Sequence, residues 1–274
     1  MKSIVFVVLM ALGLNAASVS SKDKADYLND IKNLIVATQK TRGGTYNFLN
    51  GNEFAQFGVY EERTKIKNYI RTLRQKSKVT IPSIDKEFDT LKKQLRSTNK
   101  MAFKLDPLIA FKAYSTLIVK MTSIGEQAQQ AFYANSGELN EKVSHLMMYT
   151  IIPLTDGLGK LRGLGSGIIA RTECEEEEVE LMESYIDEIH AHLKKLDHDL
   201  TLLGKKYPKL YPKDLFKKYN KYDGEIKSYI KFAKSKLIDK SDIDEDSNKY
   251  FAEGTHLIKS TTEFFKMNKQ ILTN

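Results

Sequence analysis

Apolar residues recur every three to four positions along most of the chain after residue 20, and this periodicity predicts amphipathic helices. The pattern contains no convincing strand. It divides into eight helices, at about residues 22–49, 53–76, 83–102, 106–135, 138–171, 172–207, 213–238 and 248–272. Long helices with short connections favour up-and-down bundles. We therefore predict an all-α fold of long antiparallel helices, arranged as two packed four-helix bundles at residues 21–136 and 137–274.

Prolines and capping residues set several of these helix ends. Pro82 stops the second helix, because proline cannot continue a helix and its predecessor prefers an extended backbone. Asp106 followed by Pro107 has the pattern of an N-cap and a first helical residue. We expect Pro153 to kink the fifth helix and Thr172 to cap the start of the sixth.

The first 20 residues have the pattern of a secretory signal peptide. Lys2 supplies the positive start, residues 4–14 form an apolar core too short to span a bilayer, and Ala16–Ser18 are small enough for cleavage. We expect this segment to be removed. The mature chain, residues 21–274, is then exported to the periplasm or secreted, and soluble.

Charge and cysteine content narrow the class of partner. The formal net charge is +8, which raises the question of nucleic-acid binding. The basic residues are nevertheless spread over many amphipathic segments, and export argues against such a partner, so we predict no nucleic-acid binding. Cys174 is the only cysteine, which excludes an intramolecular disulfide.

Residue types that carry catalysis or bind metals are present without the spacing that they need. His190 and His192 are two positions apart and point to different faces of a helix. Cys174 has no Cys-x-x-Cys partner and stands beside glutamates that raise the pKa of a thiol. No arrangement of Ser, His and Asp suggests hydrolysis. We therefore predict that the protein is not an enzyme and has no metal site or cofactor.

Two arginine–glycine pairs stand on helix faces that the pattern predicts to be buried, Arg42–Gly43 and Arg162–Gly163. A buried arginine is costly unless an anion pairs with it. No acid occurs in residues 31–52, and Asp156 is the only one in residues 142–172. Either a carboxylate, such as Asp156 or one on another helix, or a bound anion must balance the arginines. Each pair lies in the first helix of its predicted bundle, which indicates a weak internal repeat.

Three segments resemble the motifs of the bacterial nitrate- and nitrite-sensing (NIT) domain. Residues 39–49, QKTRGGTYNFL, resemble a first motif Gln-x-Glu-Arg-Gly-x-Ser/Thr that an aromatic and a leucine follow. Residues 158–167 resemble the second motif, residues 250–258 resemble the last-helix pattern, and Arg63 corresponds to a typical arginine on the second helix. Thr41 departs from the family, which has Glu at that position.

The resemblance implies an all-helical domain of two four-helix bundles that binds nitrate, nitrite or a similar small anion between Arg42 and Arg162. Guanidinium groups are planar and match planar oxyanions through paired N–H donors. The other residues expected around the anion are Gln39, Thr38, Thr45, Ser166 and Arg63. The family occurs in the extracytoplasmic parts of chemoreceptors and histidine kinases and in an antitermination regulator. This chain carries no such signalling module, so we expect the signal to pass to a separate, membrane-bound signalling protein.

A second hypothesis needs no small ligand. In it the chain is a secreted or periplasmic helical interaction module, Asp156 or another acid occupies the arginines, and residues 205–222, rich in lysine and tyrosine, form the working surface. The distance from each guanidinium to the nearest carboxylate separates the two hypotheses. Ion pairs at both arginines would exclude the anion-binding one.

Overall fold

The computed structural model describes residues 19–240 and 242–274, so the predicted signal peptide lies outside the described residues except for its last two positions. All regular secondary structure in the described part is helical and it contains no strand, which confirms the all-α class. The helices are α1 Ser21–Leu49, α2 Ala55–Thr80, α3 Asp85–Met101, α4 Pro107–Tyr133, α5 Glu138–Leu146, α6 Ile152–Arg171, α7 Glu176–Lys206, α8 Lys213–Ala233 and α9 Ser247–Thr273. No helix in this part of the chain is both long and apolar enough to cross a membrane.

Helices α1 and α6 lie at the centre of the fold. Helix α1 packs against α2, α4, α6 and α9, and α6 packs against α1, α7 and α9. Between Leu154 and Ile169 every residue of α6 is buried except the half-buried Lys160. Burial on all faces is typical of a helix inside a large core. The division into two four-helix bundles stays a prediction, since α1 contacts helices of both predicted halves.

Backbone contact between α1 and α6 explains two of their glycines. A Cβ atom built on Gly163 would lie 3.2 Å from the Cα atom of Gly43, and one built on Gly43 would lie 3.5 Å from the Cα atom of Gly163. A side chain at residue 163 would push the helices slightly apart, whereas one at residue 43 would be in ordinary van der Waals contact. The glycines of the two arginine–glycine pairs therefore form the crossing point of α1 and α6.

Pro153 is accommodated inside a continuous helix. A π turn at Met147–Ile151 joins α5 to α6, so the pair forms the single fifth helix that the sequence predicts. Proline lacks the N–H that would bond the carbonyl of Tyr149. Lys195 on α7 instead donates its ammonium group to that carbonyl at 3.2 Å. A side chain from a neighbouring helix thus replaces the missing backbone hydrogen bond.

The predicted helix start at Thr172 is wrong. Thr172 has φ +60° and ends α6, whereas α7 begins at Glu176 with Glu175 as its N-cap. Glu175 and Glu178 form a capping box, in which each side chain accepts a hydrogen bond from the backbone of the other. The backbone N–H groups of Glu175 and Glu178 thus both gain a side-chain acceptor, whereas Thr172 alone could supply one acceptor at most.

Two other helix ends follow the proline rules. Asp106 caps α4 as predicted, since its carboxylate accepts hydrogen bonds from the N–H groups of Leu108 and Ile109. Helix α2 extends to Thr80, beyond the predicted end at residue 76. Pro82 restricts the residue directly before it, and Ile81 has a non-helical backbone, with φ −146° and ψ +73°. The helix can therefore continue until the residue before Ile81.

Candidate functional site

Arg42 is buried between three helices and has a carboxylate partner. Its Nη2 atom lies 3.0 Å from the Oδ1 atom of Asp156 on α6. Its Nη1 atom donates to the hydroxyl of Ser115 on α4 at 3.1 Å, and its guanidinium carbon lies 4.9 Å from the ring centre of Phe111. Gln39 donates to the same Asp156 oxygen at 3.3 Å. Asp156 therefore takes the place next to Arg42 that an anion would need.

Arg162 is buried on the other side of α6 and has no such partner. Its Nη1 atom donates to the hydroxyl of Thr255 on α9 at 2.9 Å, and its guanidinium carbon lies 4.5 Å from the ring centre of Phe251. No carboxylate of residues 19–240 or 242–274 approaches it within 4.0 Å. Its Nε atom is buried and has no hydrogen-bond partner there. Arg162 is thus a charged group without a counter-ion in the described core.

The two arginines occupy equivalent surroundings. Each guanidinium lies over a phenylalanine ring and donates to a hydroxyl four residues further along the same helix, Phe111 and Ser115 for one, Phe251 and Thr255 for the other. Each hydroxyl in turn donates to the backbone carbonyl of its phenylalanine. This geometry supports the internal repeat that the arginine–glycine pairs indicate. The Phe-x-x-x-Ser/Thr spacing is the sequence signal that could have identified these partners.

Asp156 breaks the equivalence and sets the local charge. It pairs with Arg42, and Lys160 lies 3.7 Å from its other oxygen. Lys160 has a closer partner of its own, Glu188, at 2.8 Å. The two arginines, Asp156 and the Lys160–Glu188 pair together carry one uncompensated positive charge. One monoanion would neutralise this cluster.

The surroundings of Arg162 make its charged form less favourable than it is in water. Burial, with a smaller contribution from repulsion by Arg42, lowers the pKa of the Arg162 guanidinium to about 10. The group therefore keeps its charge at neutral pH. A bound anion would offset both the desolvation and the repulsion.

The remaining predicted site residues differ in their hydrogen-bond partners, and none of these partners is a guanidinium group. Thr38 and Ser166 donate to carbonyls of their own helices, those of Leu34 and Arg162. The Thr45 hydroxyl is buried without a hydrogen-bond partner among the described residues. Arg63 donates to the Tyr114 hydroxyl at 2.9 Å, and its guanidinium group lies over the Phe103 ring. Of the predicted set, the structure brings Gln39 to Arg42 and places Arg162 across the helix crossing.

Thr41, which departs from the family motif, is buried and plays a local role. Its hydroxyl donates to the carbonyl of Ala37 at 3.0 Å. The carboxylate next to Arg42 comes instead from Asp156 on another helix.

Three of the tyrosines expected on a lysine-rich working surface are in the core, so that part of the second hypothesis is wrong. Tyr211 donates to Asn268 at 2.7 Å, Tyr219 donates to the Leu193 carbonyl at 3.1 Å, and Tyr222 bonds to Thr261. Their hydroxyls find partners on α7 and α9, which is why rings with polar tips can lie inside.

Comparison with known proteins shows a likeness in fold and none in sequence. No family model matches the sequence, and no curated protein matches it. Among solved structures, the fold is similar to that of the NasR transcription antiterminator, with a TM-score of 0.67 and 12% sequence identity over 94% of this chain and 69% of that one. At this identity the likeness shows a shared all-helical fold.

Proposed function

We propose that the protein is an exported sensory domain that binds a small monoanion, nitrate or nitrite, beside the core arginine Arg162. The observation that carries the proposal is the buried guanidinium of Arg162, which has no carboxylate within 4.0 Å among the described residues. Unpaired buried charges are rare because desolvation is so unfavourable. A bound oxyanion would supply the missing counter-charge and accept a hydrogen bond from the Nε–H group of Arg162.

Asp156 gives the site its preference for a single negative charge. Two guanidinium groups around one monoanion would leave an excess positive charge in the core. Because Asp156 already balances Arg42, one nitrate or nitrite would make the cluster neutral. A dianion such as sulfate would leave excess negative charge near Asp156 and should bind less well.

The arrangement of helices offers a route from binding to signal. The anion would contact α6 at Arg162, next to Gly163, where α6 crosses α1 with the two backbones in close contact. An anion that binds one arrangement of these helices more tightly shifts the population toward it. A separate, membrane-bound signalling protein would detect the shift, and the segment before residue 20 would direct export.

Two likenesses support the sensory role. The motifs around Arg42 and Arg162 resemble those of the NIT domain, which occurs in chemoreceptors, histidine kinases and an antitermination regulator. The fold is similar to that of a transcription antiterminator, NasR. An antitermination regulator thus occurs in both likenesses, which supports the proposed sensory role.

Thermal unfolding in a series of sodium salts tests this function. We expect nitrate and nitrite to raise the midpoint in a saturable manner at constant ionic strength, whereas sulfate and chloride give smaller shifts. An Arg162→Met variant should lose the nitrate-dependent increase. Equal shifts with all four anions, or with both proteins, would contradict a specific monoanion site.

A helical interaction module without a small ligand is the second candidate. The ion pair between Arg42 and Asp156 favours it, since that arginine needs no external anion. In this function Arg162 would be stabilised by Thr255 and the Phe251 ring alone. The salt series above separates the two candidates.

A further inference from the structure

Helices α2 and α3 enclose a second cluster of basic residues, which does not include Arg42 or Arg162. A cavity of about 660 Å³ lies between them, and we call it the α2–α3 groove. Its floor contains Ile66, Ile70 and Leu95. Cationic side chains line its walls, five from α2 and two, Lys92 and Arg96, from α3, with no carboxylate among the lining residues. The groove is a concave surface of one charge sign, which concentrates positive potential.

Ion pairing on α2 depends on which side of the helix a cation occupies. Outside the groove, Lys65 pairs with Glu61 and Glu62, and Lys76 pairs with Asp30. Among the lining cations, Arg74 is the one with carboxylate partners within the described residues, Asp85 and Asp89. The α2 cations outside the groove are therefore neutralised by the protein itself, and most of those inside have no carboxylate partner among the described residues.

The cations follow the pitch of a helix. Those on α2 are Arg63, Lys67, Arg71, Arg74 and Lys78, spaced by four, four, three and four residues. At 1.5 Å per residue this stripe is about 22 Å long. Carboxylates on a second helix repeat at the same three- to four-residue spacing, so a helix lying along the stripe could face a cation at each turn.

The residues that line the groove also indicate which kind of negatively charged partner fits it. A single-stranded nucleic acid needs aromatic rings for its bases to stack on, and no aromatic residue lines the groove. A flat lipid bilayer would not reach the apolar floor between two helices. An amphipathic helix with one acidic and one apolar edge matches both the cationic walls and the apolar floor.

We propose that the α2–α3 groove binds an acidic amphipathic helix of a partner protein. The affinity would come from charge pairs along α2 and α3, and the register from apolar side chains over the floor. The charge pattern carries this inference independently of the anion site, because Arg42 and Arg162 do not line the groove.

Fluorescence anisotropy with a labelled peptide tests the groove. The probe is a helical peptide of about 18 residues with glutamates and leucines at three- to four-residue spacing on one face. The variant Arg71→Gln/Arg96→Gln removes two exposed groove charges, and Lys93→Gln/Lys100→Gln removes two exposed charges of α3 outside the groove. We expect the first to weaken binding at least tenfold and the second less than twofold. Circular dichroism checks that both remain folded.

Further arms decide the chemistry of the ligand. The same peptide with glutamine for every glutamate should not bind, and added salt should weaken the acidic peptide. An Arg162→Met variant should bind the acidic peptide normally, which separates this proposal from the anion site. Equal binding by both double variants would overturn the proposal. So would tighter binding of a single-stranded oligonucleotide or of anionic phosphatidylserine vesicles, if the Arg71→Gln/Arg96→Gln change weakened it.

Discussion

Arg42 and Arg162 have the same kind of neighbours and differ by one carboxylate. Both lie over a phenylalanine ring and donate to a hydroxyl, but only Arg42 has an acid, Asp156, beside it among the described residues. This difference in pairing indicates different roles for the two arginines. The Arg42–Asp156 pair is a structural contact between α1 and α6, and Arg162 is the arginine to which we assign the proposed ligand.

Replacing Asp156 by asparagine should therefore reduce stability and make it depend on the anion. Losing one partner of a buried ion pair costs about 3–5 kcal/mol, because the other charge stays buried. The same change leaves both arginines free, so nitrate should stabilise the variant more than the wild type. Urea unfolding with and without nitrate measures both effects.

The matched control is Asp30→Asn, which breaks the partly exposed ion pair with Lys76. Such pairs contribute about 0–1 kcal/mol, and nitrate should have no special effect on this variant. An Asp156→Asn protein as stable as the wild type in the absence of nitrate would show that Asp156 does not balance Arg42.

The thiol of Cys174 should react slowly. Burial and, to a smaller extent, the Glu178 carboxylate raise its pKa to about 11. At pH 8 roughly one molecule in a thousand then carries the thiolate, compared with about a quarter for an ordinary cysteine. We expect a disulfide reagent to label the folded protein roughly 100-fold more slowly than the protein in urea. The folded-state rate should rise about tenfold per pH unit up to the pKa; equal rates in both states at pH 8 would contradict this.

At the scale of helices, the crossing of α1 and α6 depends on glycine. A Cβ atom on residue 163 would lie 3.1 Å from the Phe111 ring and 3.2 Å from the Cα of Gly43, and this backbone contact can only relax if a helix moves. We expect Gly163→Ala to destabilise the protein by about 1–3 kcal/mol. Gly58 lies in α2 with nothing within 4 Å of a new Cβ, so Gly58→Ala should stabilise it by about 0.5–1 kcal/mol. Denaturant unfolding compares the variants, and a neutral Gly163→Ala would contradict the close crossing.

The helices were largely predictable because their signals are local. Periodicity gives the eight helical stretches, and Asp106 and Pro107 mark the start of α4 correctly. Thr172 was misjudged because the competing capping box at Glu175 and Glu178 is also local but stronger. The hydrogen bond from Lys195 to the Tyr149 carbonyl could not be predicted, because Lys195 belongs to a different helix and its position depends on packing.

The candidate site was predictable in its residue types and not in its pairing. An apolar face around each arginine and the glycines beside them indicate buried charge and close packing. The sequence leaves open whether an acid or an anion balances each arginine. Asp156 lies six residues before Arg162, yet it pairs with Arg42 across the helix crossing. Only the packing of α6 on α1 decides that choice.

At the scale of the whole molecule, both proposed binding places are positively charged. The core holds one uncompensated charge near Arg162, and the α2–α3 groove holds several on the surface. Arg63 lines the groove and bonds to Tyr114, whose neighbour Ser115 on α4 accepts from Arg42. Helix α4 therefore connects the two places. The proposed sensory role requires an anion at the first of them, beside Arg162.

Calorimetric titration of the mature protein with nitrate at low chloride tests that claim most directly. We predict saturable binding at one anion per chain, lost in a folded Arg162→Met variant and retained in Arg71→Gln, which removes a surface charge of the groove. Nitrite should behave like nitrate. No heat of binding from the folded wild type with either anion, or unchanged binding in Arg162→Met, would contradict the account and leave a helical interaction module.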